Sequence, residues 1–139
     1  MSNYFRISEA GSIALHAMVL LSNDSNRLYR IKDIAKFFGF SEAHLAKVLN
    51  RLVKNGLATA TRGPSGGYKL NKPSTEINLK EIYEAIEGRL DENRCMFSIP
   101  MCDGNGCAIG KYFTKKSAEI EEKMSMTTLS DISSNKLIK

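Results

Sequence analysis

Residues 31–70 read IKDIAKFFGFSEAHLAKVLNRLVKNGLATATRGPSGGYKL, and the spacing of their apolar side chains decides the fold class. In the first part of this stretch, apolar residues recur at intervals of three and four and so share one helical face. They are Ile31, Ile34, Ala35 and Phe38. Gly39 follows directly, and glycine commonly ends a helix because it adopts a left-handed backbone at little cost. The pattern predicts a short helix closed at Gly39.

A second helix is predicted over SEAHLAKVLNRLVKNG, with Ser41 as its N-cap and Gly56 as its stop. Its buried stripe consists of Leu45, Val48, Leu49 and Leu52. The opposite face carries polar and basic side chains, which are His44, Lys47, Arg51 and Lys54. Two short helices joined by a glycine-containing turn, the second with an exposed basic face, are typical of a helix-turn-helix whose second helix reads DNA.

The next segment predicts a β-hairpin wing. Two β-compatible runs, residues 57–61 and 68–70, flank a cluster of turn-forming residues made of Gly63, Pro64, Ser65, Gly66 and Gly67. Such a loop brings Arg62 close to a surface, and the negative potential of a DNA minor groove attracts arginine. An ordinary tight hairpin turn explains the same glycines. The position of the loop directly after a helix-turn-helix favours the DNA-binding interpretation.

Sequence on either side of this stretch predicts further helices. Residues 8–21 have helical apolar spacing with Ser8 as N-cap, and residues 77–87 form another amphipathic segment. From residue 109 a long amphipathic helix is expected, with a stripe of Ile109, Phe113, Ile120 and Met124. A second copy of the chain is the expected cover for that stripe, and packing on its own domain is the alternative.

The predicted fold class is therefore mainly α with a small β-hairpin, a winged helix-turn-helix followed by a long C-terminal dimerisation helix. We expect a DNA-binding domain over residues 1–90, a cysteine-containing loop over 91–108, and the dimerisation helix with a C-terminal tail over 109–139.

The basic charge lies in the first half of the chain. Residues 1–75 contain eleven Lys and Arg against four Asp and Glu, a net +7, whereas residues 76–139 contain nine against eleven, a net −2. A positive field favours polyanions, although a modest surplus also suits a soluble domain without such a partner. No window has the roughly eighteen uninterrupted apolar residues of a membrane span, and no secretory signal is evident, so we expect a cytoplasmic protein without membrane contact.

All the cysteines lie within thirteen residues, as Cys95, Cys102 and Cys107. An odd number of clustered cysteines indicates metal binding or redox chemistry rather than a disulfide framework. The gaps of six and four residues differ from the two-residue gap of zinc knuckles. Thiolates are the usual ligands of iron-sulfur clusters, so a cluster is the expected occupant. Metal-free redox-sensing thiols, zinc and no chemical role are the alternatives.

The chain resembles the Rrf2 family of winged-helix regulators over nearly its whole length. The resemblance is carried by ISEAGSIALHAM, the 31–73 segment with its TRGPSGGYKL wing, the cysteine loop and the terminal TTLSDI. The resemblance implies a homodimer whose third helix enters the major groove and whose wing enters the adjacent minor groove. The wing residues that match the family motif are Arg62, Gly63, Gly66, Gly67 and Tyr68. It also implies that the three-cysteine loop holds a [2Fe-2S] or [4Fe-4S] cluster.

The chain departs from the family at the fourth cluster ligand. Some relatives have a histidine three residues after the last cysteine, where this chain has Gly110, and others use an acidic residue at the position of Ser12. Neither residue supplies the expected ligand. Glu9, His16, Asp103, a small thiol and solvent are the remaining options.

The function predicted from these features is sequence-specific regulation of transcription, with redox, iron-sulfur or nitrosative status sensed through Cys95, Cys102 and Cys107. The predicted DNA-binding residues are Ser41, His44, Lys47, Arg51, Arg62, Gly63, Pro64, Ser65, Gly66, Gly67 and Tyr68. An enzyme is disfavoured because the chain has no Cys-x-x-Cys pair and no phosphate-binding glycine-rich turn. A metal-free thiol-based regulator and a winged-helix interaction adaptor are the alternatives.

Overall fold

The computed structural model describes residues 5–90, 97 and 107–133. Within these residues the chain is mainly helical with one two-stranded antiparallel hairpin, as the sequence predicts. The elements in chain order are α1 (Glu9–Asn23), α2 (Ile31–Phe38), α3 (Glu42–Lys54), β1 (Ala58–Thr61), β2 (Gly67–Leu70), a 3₁₀ turn (Ser74–Glu76), α4 (Leu79–Glu87), α5 (Ala108–Met126) and α6 (Leu129–Ser133).

The capping residues predicted from the sequence lie at the starts of α1 and α3 and at the end of α2. The Ser8 hydroxyl accepts a hydrogen bond from the Gly11 N–H at the start of α1, and Ser41 does the same for the His44 N–H at the start of α3. Gly39 follows α2 with a left-handed φ of 76°. These caps satisfy backbone groups that the helix itself leaves unpaired, and thereby fix the short turn between α2 and α3.

One apolar core joins the helices of the described chain. α1 lies against α3, α4 and α6, and α2 packs on α3. The largest fully buried side chains come from α1, α2, α3, α4, α6 and two connecting segments, and are Ile13, Met18, Leu21, Ile34, Leu45, Val48, Leu49, Leu52, Leu57, Ile77, Ile82 and Leu129. Since the predicted stripe of α3 is entirely among them, its opposite face is left on the outside. No helix in the described ranges is long and apolar enough to span a bilayer.

The segment after α5 contacts α1 and the residues just before α4. Thr128 pairs with Asn78 in an antiparallel bridge, in which the Leu129 N–H donates to the Ile77 carbonyl at 2.7 Å and the Leu79 N–H donates to the Thr127 carbonyl at 2.9 Å. α6 then places Leu129 in the core with no exposed surface. The sequence-based expectation of a helix followed by a tail therefore missed this short helix.

An N-terminal arm connects α1 to α4 and α5. The Phe5 N–H donates to the Ser117 hydroxyl of α5 at 3.3 Å, and the Arg6 N–H donates to the Tyr83 hydroxyl of α4 at 3.0 Å. Ser8 donates to the Glu87 carboxylate through both its N–H and its hydroxyl. Burial raises the pKa of Tyr83, and the nearby Glu87 carboxylate contributes to the same shift. The arm thus holds α5 near α1 and α4.

A capping box starts α4. The Asn78 side chain accepts from the Glu81 N–H, the Glu81 carboxylate accepts from the Asn78 N–H, and both distances are 2.9 Å. Lys72 adds an ion pair to Glu81 at 2.9 Å. Burial alone would raise the pKa of Glu81, but the Asn78 N–H and the Lys72 ammonium outweigh it and hold that pKa below its usual value.

Replacing Glu81 with glutamine should therefore make the free energy of unfolding less dependent on pH in the acidic range. Because the folded-state pKa is lowered, the carboxylate stabilises the fold fully above its unfolded pKa, and this contribution is lost as pH falls through the folded pKa. Since Glu81 is partly exposed, we expect the wild-type advantage at pH 6 to be less than about 1 kcal/mol and to shrink as pH falls through the folded-state pKa of Glu81. Urea unfolding over a series of acidic pH values measures it, with Glu119→Gln in an exposed ion pair as the control. An advantage that does not change with pH would contradict the assignment.

Candidate nucleic-acid interface

The exposed face of α3 carries the side chains that the sequence predicts for DNA reading. Lys47 and Arg51 are exposed, as is Ser41, while His44 is partly buried near the first turn of the helix. The Ser41 hydroxyl also caps the helix, so its role in the fold is established independently of DNA. The arrangement presents two cations and short polar groups on one helix, which suits contact with phosphates and base edges.

Arg51 has a structural partner that the sequence did not indicate. Its Nη2 donates to the Ile86 carbonyl in the last turn of α4 at 2.8 Å. The bond braces the end of α3 against α4. Because an arginine carries several N–H donors in a planar fork, this bond does not prevent a phosphate contact. It does show that part of the guanidinium serves the fold.

At the base of the hairpin, the glycines of the wing motif serve close packing. β1 and β2 pair from Ala58 opposite Leu70 to Thr61 opposite Gly67. A Cβ atom added to Gly66 would lie 2.0 Å from the Thr61 carbonyl oxygen, and one added to Gly67 would lie 2.7 Å from the Tyr29 carbonyl oxygen. No side chain fits at either distance, so a hairpin-turn explanation accounts for these two glycines.

Tyr68 anchors the same base to the helical core. Its N–H donates to the Tyr29 carbonyl at 2.8 Å, and the Tyr29 N–H donates back to the Tyr68 carbonyl at 2.9 Å. Tyr29 is itself buried, and the Arg27 guanidinium lies 4.6 Å from the centre of its ring. The wing is thereby fixed to the segment just before α2, and the ring of Tyr68 packs against the core.

The tip of the hairpin is the part presented to solvent. Arg62, Gly63, Pro64 and Ser65 are all exposed, and the Gly66 N–H closes the turn by donating to the Gly63 carbonyl at 3.0 Å. The predicted wing residues therefore divide into a packed base of Gly66, Gly67 and Tyr68 and an exposed tip of residues 62–65. The tip is the most exposed part of the predicted wing and the part best placed for a DNA contact.

A groove of about 350 Å³ separates the wing from the start of α2. Its lining is made of Arg30, Ile31, Lys32, Thr61, Gly63, Pro64, Gly66, Gly67 and Tyr68, none of which is acidic. Across it, an Arg30 Nη2 donates to the Pro64 carbonyl. Sequence reasoning missed Arg30 because nothing in the spacing of a loop arginine shows which distant carbonyl it reaches.

Among the cysteines, only Cys107 belongs to the described residues. It is the N-cap of α5, where its Sγ accepts from the Gly110 N–H at 3.3 Å. Cys95, Cys102 and Asp103 lie outside the described residues. In the part of the chain that is described, no group of three or more metal-binding side chains comes together.

The proposed substitutes for the fourth ligand lie on α1. Glu9 is exposed in the first turn, and Ser12 is partly buried. The His16 Nδ1 is 2.7 Å from the Ser12 carbonyl oxygen, and its ring packs edge-on against Phe38. This nitrogen is thus engaged within its own helix, which leaves Nε2 as the atom of His16 suited to a metal.

α5 packs on the domain through one side and exposes apolar residues on another. Gly110 and Ser117 are its buried residues, and Lys80 of α4 pairs with Glu121 at 3.1 Å. Ile109, Tyr112, Phe113 and Met126 are 62%, 57%, 43% and 73% exposed. Of the stripe predicted from the sequence, Ile109 and Phe113 are exposed, whereas Ile120 and Met124 are partly buried.

The structure has two short helices joined by a tight turn, a basic outer face on the second helix, and a β-hairpin beside it. These features define a winged helix-turn-helix DNA-binding protein. Within that class, the sequence model of the Rrf2 family, described as an iron-dependent transcriptional regulator, matches residues 7–135. The chain belongs to the Rrf2 family and is a transcriptional regulator rather than an enzyme.

Similar proteins agree with this assignment. The HTH-type transcriptional regulator IscR of Pectobacterium carotovorum is 30% identical over 132 residues, covering 94% of this chain and 80% of the relative. Among solved structures, T. potens IscR has a TM-score of 0.74 at 26% identity and covers 94% of this chain and 88% of its own. CymR, titled the global cysteine regulator of B. subtilis, has a TM-score of 0.78 at 24% identity, with 94% and 98% covered. At that identity CymR supports the fold alone.

Proposed function

We propose that the chain binds duplex DNA with α3 in the major groove and the wing tip in an adjacent minor groove. The observation that carries this proposal is the division of the wing into a rigid, packed base and an exposed tip that begins with Arg62. A hairpin that served only as a turn would need the packed glycines but not an exposed arginine. The interaction-adaptor alternative leaves this tip unexplained.

The residues on α3 and the wing take different parts in this proposal. Ser41 and His44, in the first turns of α3, are positioned for base edges, and Lys47 and Arg51 for phosphates. On the wing, Arg62 enters the minor groove while Gly63, Pro64 and Ser65 allow close approach of the backbone. Gly66, Gly67 and Tyr68 act indirectly, because they hold the tip in place.

A salt titration tests the DNA-binding proposal. Duplexes bound by the full chain are first selected from a pool with a randomised 30-base-pair centre, and affinity for the selected duplex is then measured between 50 and 300 mM salt. We expect the logarithm of the affinity to fall by about 0.9 for each phosphate neutralised per tenfold rise in salt. Affinity that does not change with salt, or a selection that enriches no sequence, would contradict the proposal.

We also propose that α5 pairs two copies of the chain. Its exposed residues Ile109, Tyr112 and Phe113 are large and apolar and lie within one helical turn of each other. Burying such a surface against its symmetry mate removes apolar area from water. A dimer would also present two reading helices, as palindromic operators require.

Replacing Phe113 with glutamate should weaken that dimer. A carboxylate at the centre of the apolar surface must be desolvated on association, so we expect the dissociation constant of the dimer to rise at least about tenfold. Sedimentation equilibrium measures it, and far-UV circular dichroism checks that the helices remain. Lys115→Glu, an exposed position on another side of α5, is the control. An unchanged dissociation constant for Phe113→Glu would place the interface elsewhere.

The cysteine loop is proposed to make DNA binding responsive to redox or iron-sulfur status. Three thiols within thirteen residues are a donor set that suits an iron-sulfur cluster, and the N–H donated to the Cys107 Sγ is the kind of hydrogen bond that cluster thiolates accept. When bound, the cluster would be a redox-active group in the loop, and its loss or oxidation would change the charge of the loop. Cys107 would hold it at the start of α5, next to the proposed dimer surface.

Anaerobic purification separates this proposal from the metal-free thiol alternative. Iron and sulfide are counted and absorption spectra recorded, and affinity for the selected duplex is measured on the same sample before and after exposure to air. Iron and sulfide bound in equal amounts, lost in a Cys95→Ser, Cys102→Ser, Cys107→Ser variant, would support the cluster. A metal-free protein whose affinity still depends on air would support redox-active thiols. Identical binding by the triple variant under every condition would contradict sensing altogether.

A further inference from the structure

The bond between Arg30 and the wing crosses 34 residues of sequence and joins two parts of the proposed interface. Arg30 lies between Tyr29, whose backbone pairs with Tyr68, and Ile31, the first residue of α2. Tyr29 therefore fixes the base of the wing, while the next residue along the chain reaches its tip. Tyr29 and Arg30, which are consecutive, therefore connect the helix-turn-helix to the base and to the tip of the wing.

The tip of the wing has few other restraints. Strand pairing ends at Thr61 opposite Gly67, and beyond it the bond from the Gly66 N–H to the Gly63 carbonyl closes the turn. Pro64 has no N–H to donate, so its carbonyl is the backbone group through which this residue can be held. A guanidinium is a planar, permanently charged donor, and its hydrogen bond to a neutral carbonyl is stronger than a bond between neutral groups.

We propose that Arg30 is a positioning residue for DNA binding, which holds the Pro64 carbonyl so that the neighbouring Arg62 is oriented before the duplex arrives. The proposal rests on the proposed DNA-binding function. Orienting a loop beforehand reduces the conformational entropy that binding must otherwise remove. Arg30 thus contributes to affinity through the wing, not through a phosphate of its own.

The first test needs no DNA. In the free protein, amide hydrogen exchange followed by NMR reports how often the wing turn opens. For Arg30→Gln we expect exchange of the Gly66 amide to accelerate about fivefold or more. The Tyr68 amide, bonded to Tyr29 at the base, should keep its rate. Lys36→Gln, which removes an exposed cation from the last turn of α2, is the matched control and should change neither amide. An unchanged Gly66 rate in Arg30→Gln would overturn the proposal.

The second test is a double-mutant cycle with the selected 30-base-pair duplex. If Arg30 acts through the wing, Arg30→Gln should lower affinity about five- to tenfold in the wild-type background and by less than twofold when Arg62 is already alanine. The effect of Lys36→Gln should be the same in both backgrounds, because this residue has no bond to the wing. A loss from Arg30→Gln that stays fully additive with Arg62→Ala would show a direct phosphate contact and overturn the proposal.

The outcomes distinguish this proposal from the proposed function. If the wild-type chain binds no duplex, DNA binding fails as a function, while Gly66 exchange still reports whether Arg30 holds the tip. If the chain binds DNA but the two tests give unchanged exchange and full additivity, DNA binding stands and the positioning role of Arg30 is wrong.

Discussion

Replacing Arg62 with alanine should lower the affinity for duplex DNA by about 10- to 100-fold. A narrow minor groove attracts arginine, and we expect a loss on the order of 1–3 kcal/mol, as for an arginine that contacts base edges. Arg62 is exposed at the start of the tip, and its loss leaves the packed base of the wing intact. Stability should therefore change by less than about 0.5 kcal/mol, as for most surface substitutions. The slope of affinity against salt should fall by about one, since one cation no longer displaces a counterion.

Fluorescence anisotropy with the selected duplex measures both quantities across the salt range. Lys115→Ala removes the same charge from the outer surface of α5 and is the control, since net charge alone would affect both variants equally. Equal affinities for wild type and Arg62→Ala at every salt concentration would show that the wing tip does not touch DNA.

Local signals in the sequence were sufficient for most element boundaries. Ser8 and Ser41 each accept a backbone N–H at a helix start, and Gly39 takes the left-handed conformation that a helix end favours. Such interactions join residues within four positions of each other, so their geometry follows from residue type and spacing. The winged helix-turn-helix was predictable for the same reason.

The wing motif was predictable as a unit but not as two parts with different roles. Glycine permits both a tight turn and close approach to a ligand, so the sequence left both explanations open. Only the distances from Gly66 to the Thr61 carbonyl and from Gly67 to the Tyr29 carbonyl show which glycines are needed for packing. The Tyr29 contact joins residues far apart in sequence, which periodicity does not reveal.

Long-range contacts account for the features that sequence reasoning missed. The inner face of α5 was obscured because its buried positions are Gly110 and Ser117, which are not large apolar residues, whereas Ile109 and Phe113 of the predicted stripe are exposed. Small residues seven apart on a helix were the available signal, since they allow helices to approach closely. The bonds from Arg30 to Pro64 and from Arg51 to Ile86 left no comparable signal, because an exposed arginine has many partners within reach.

α6 was missed because five residues are too few to show helical periodicity. Its position depends on the bridge between Thr128 and Asn78, which brings residues 50 apart in sequence together. Through that bridge, Leu129 enters a core to which α1 and α4 also contribute. The segment that follows the proposed dimer helix consequently packs into the same core as α1 and α4. α5 is attached to these helices at its C-terminal end through α6 and near its middle through the hydrogen bond from the Phe5 N–H to Ser117.

Replacing Leu129 with alanine should lower the free energy of unfolding by about 2–5 kcal/mol, the usual range for a leucine removed from a rigid core. Leu129 has no exposed surface, and its neighbours are held by the bridge and by α1, so the space is not easily refilled. Leu129→Val removes one methylene and should cost roughly 1 kcal/mol, which keeps the test valid if the alanine variant does not fold. Ile7→Ala, at a position 52% exposed, should cost less than about 0.5 kcal/mol and is the control.

Urea unfolding at one fixed protein concentration measures these differences, because self-association would make stability depend on concentration. A loss of unfolding free energy that increases from Ile7→Ala through Leu129→Val to Leu129→Ala would show that α6 completes the core. Duplex affinity of the folded fraction should be unchanged in Leu129→Val, since Leu129 lies in neither α3 nor the wing. A loss of less than 1 kcal/mol in Leu129→Ala would mean that the core closes without α6, and that the terminal segment is only attached to its surface.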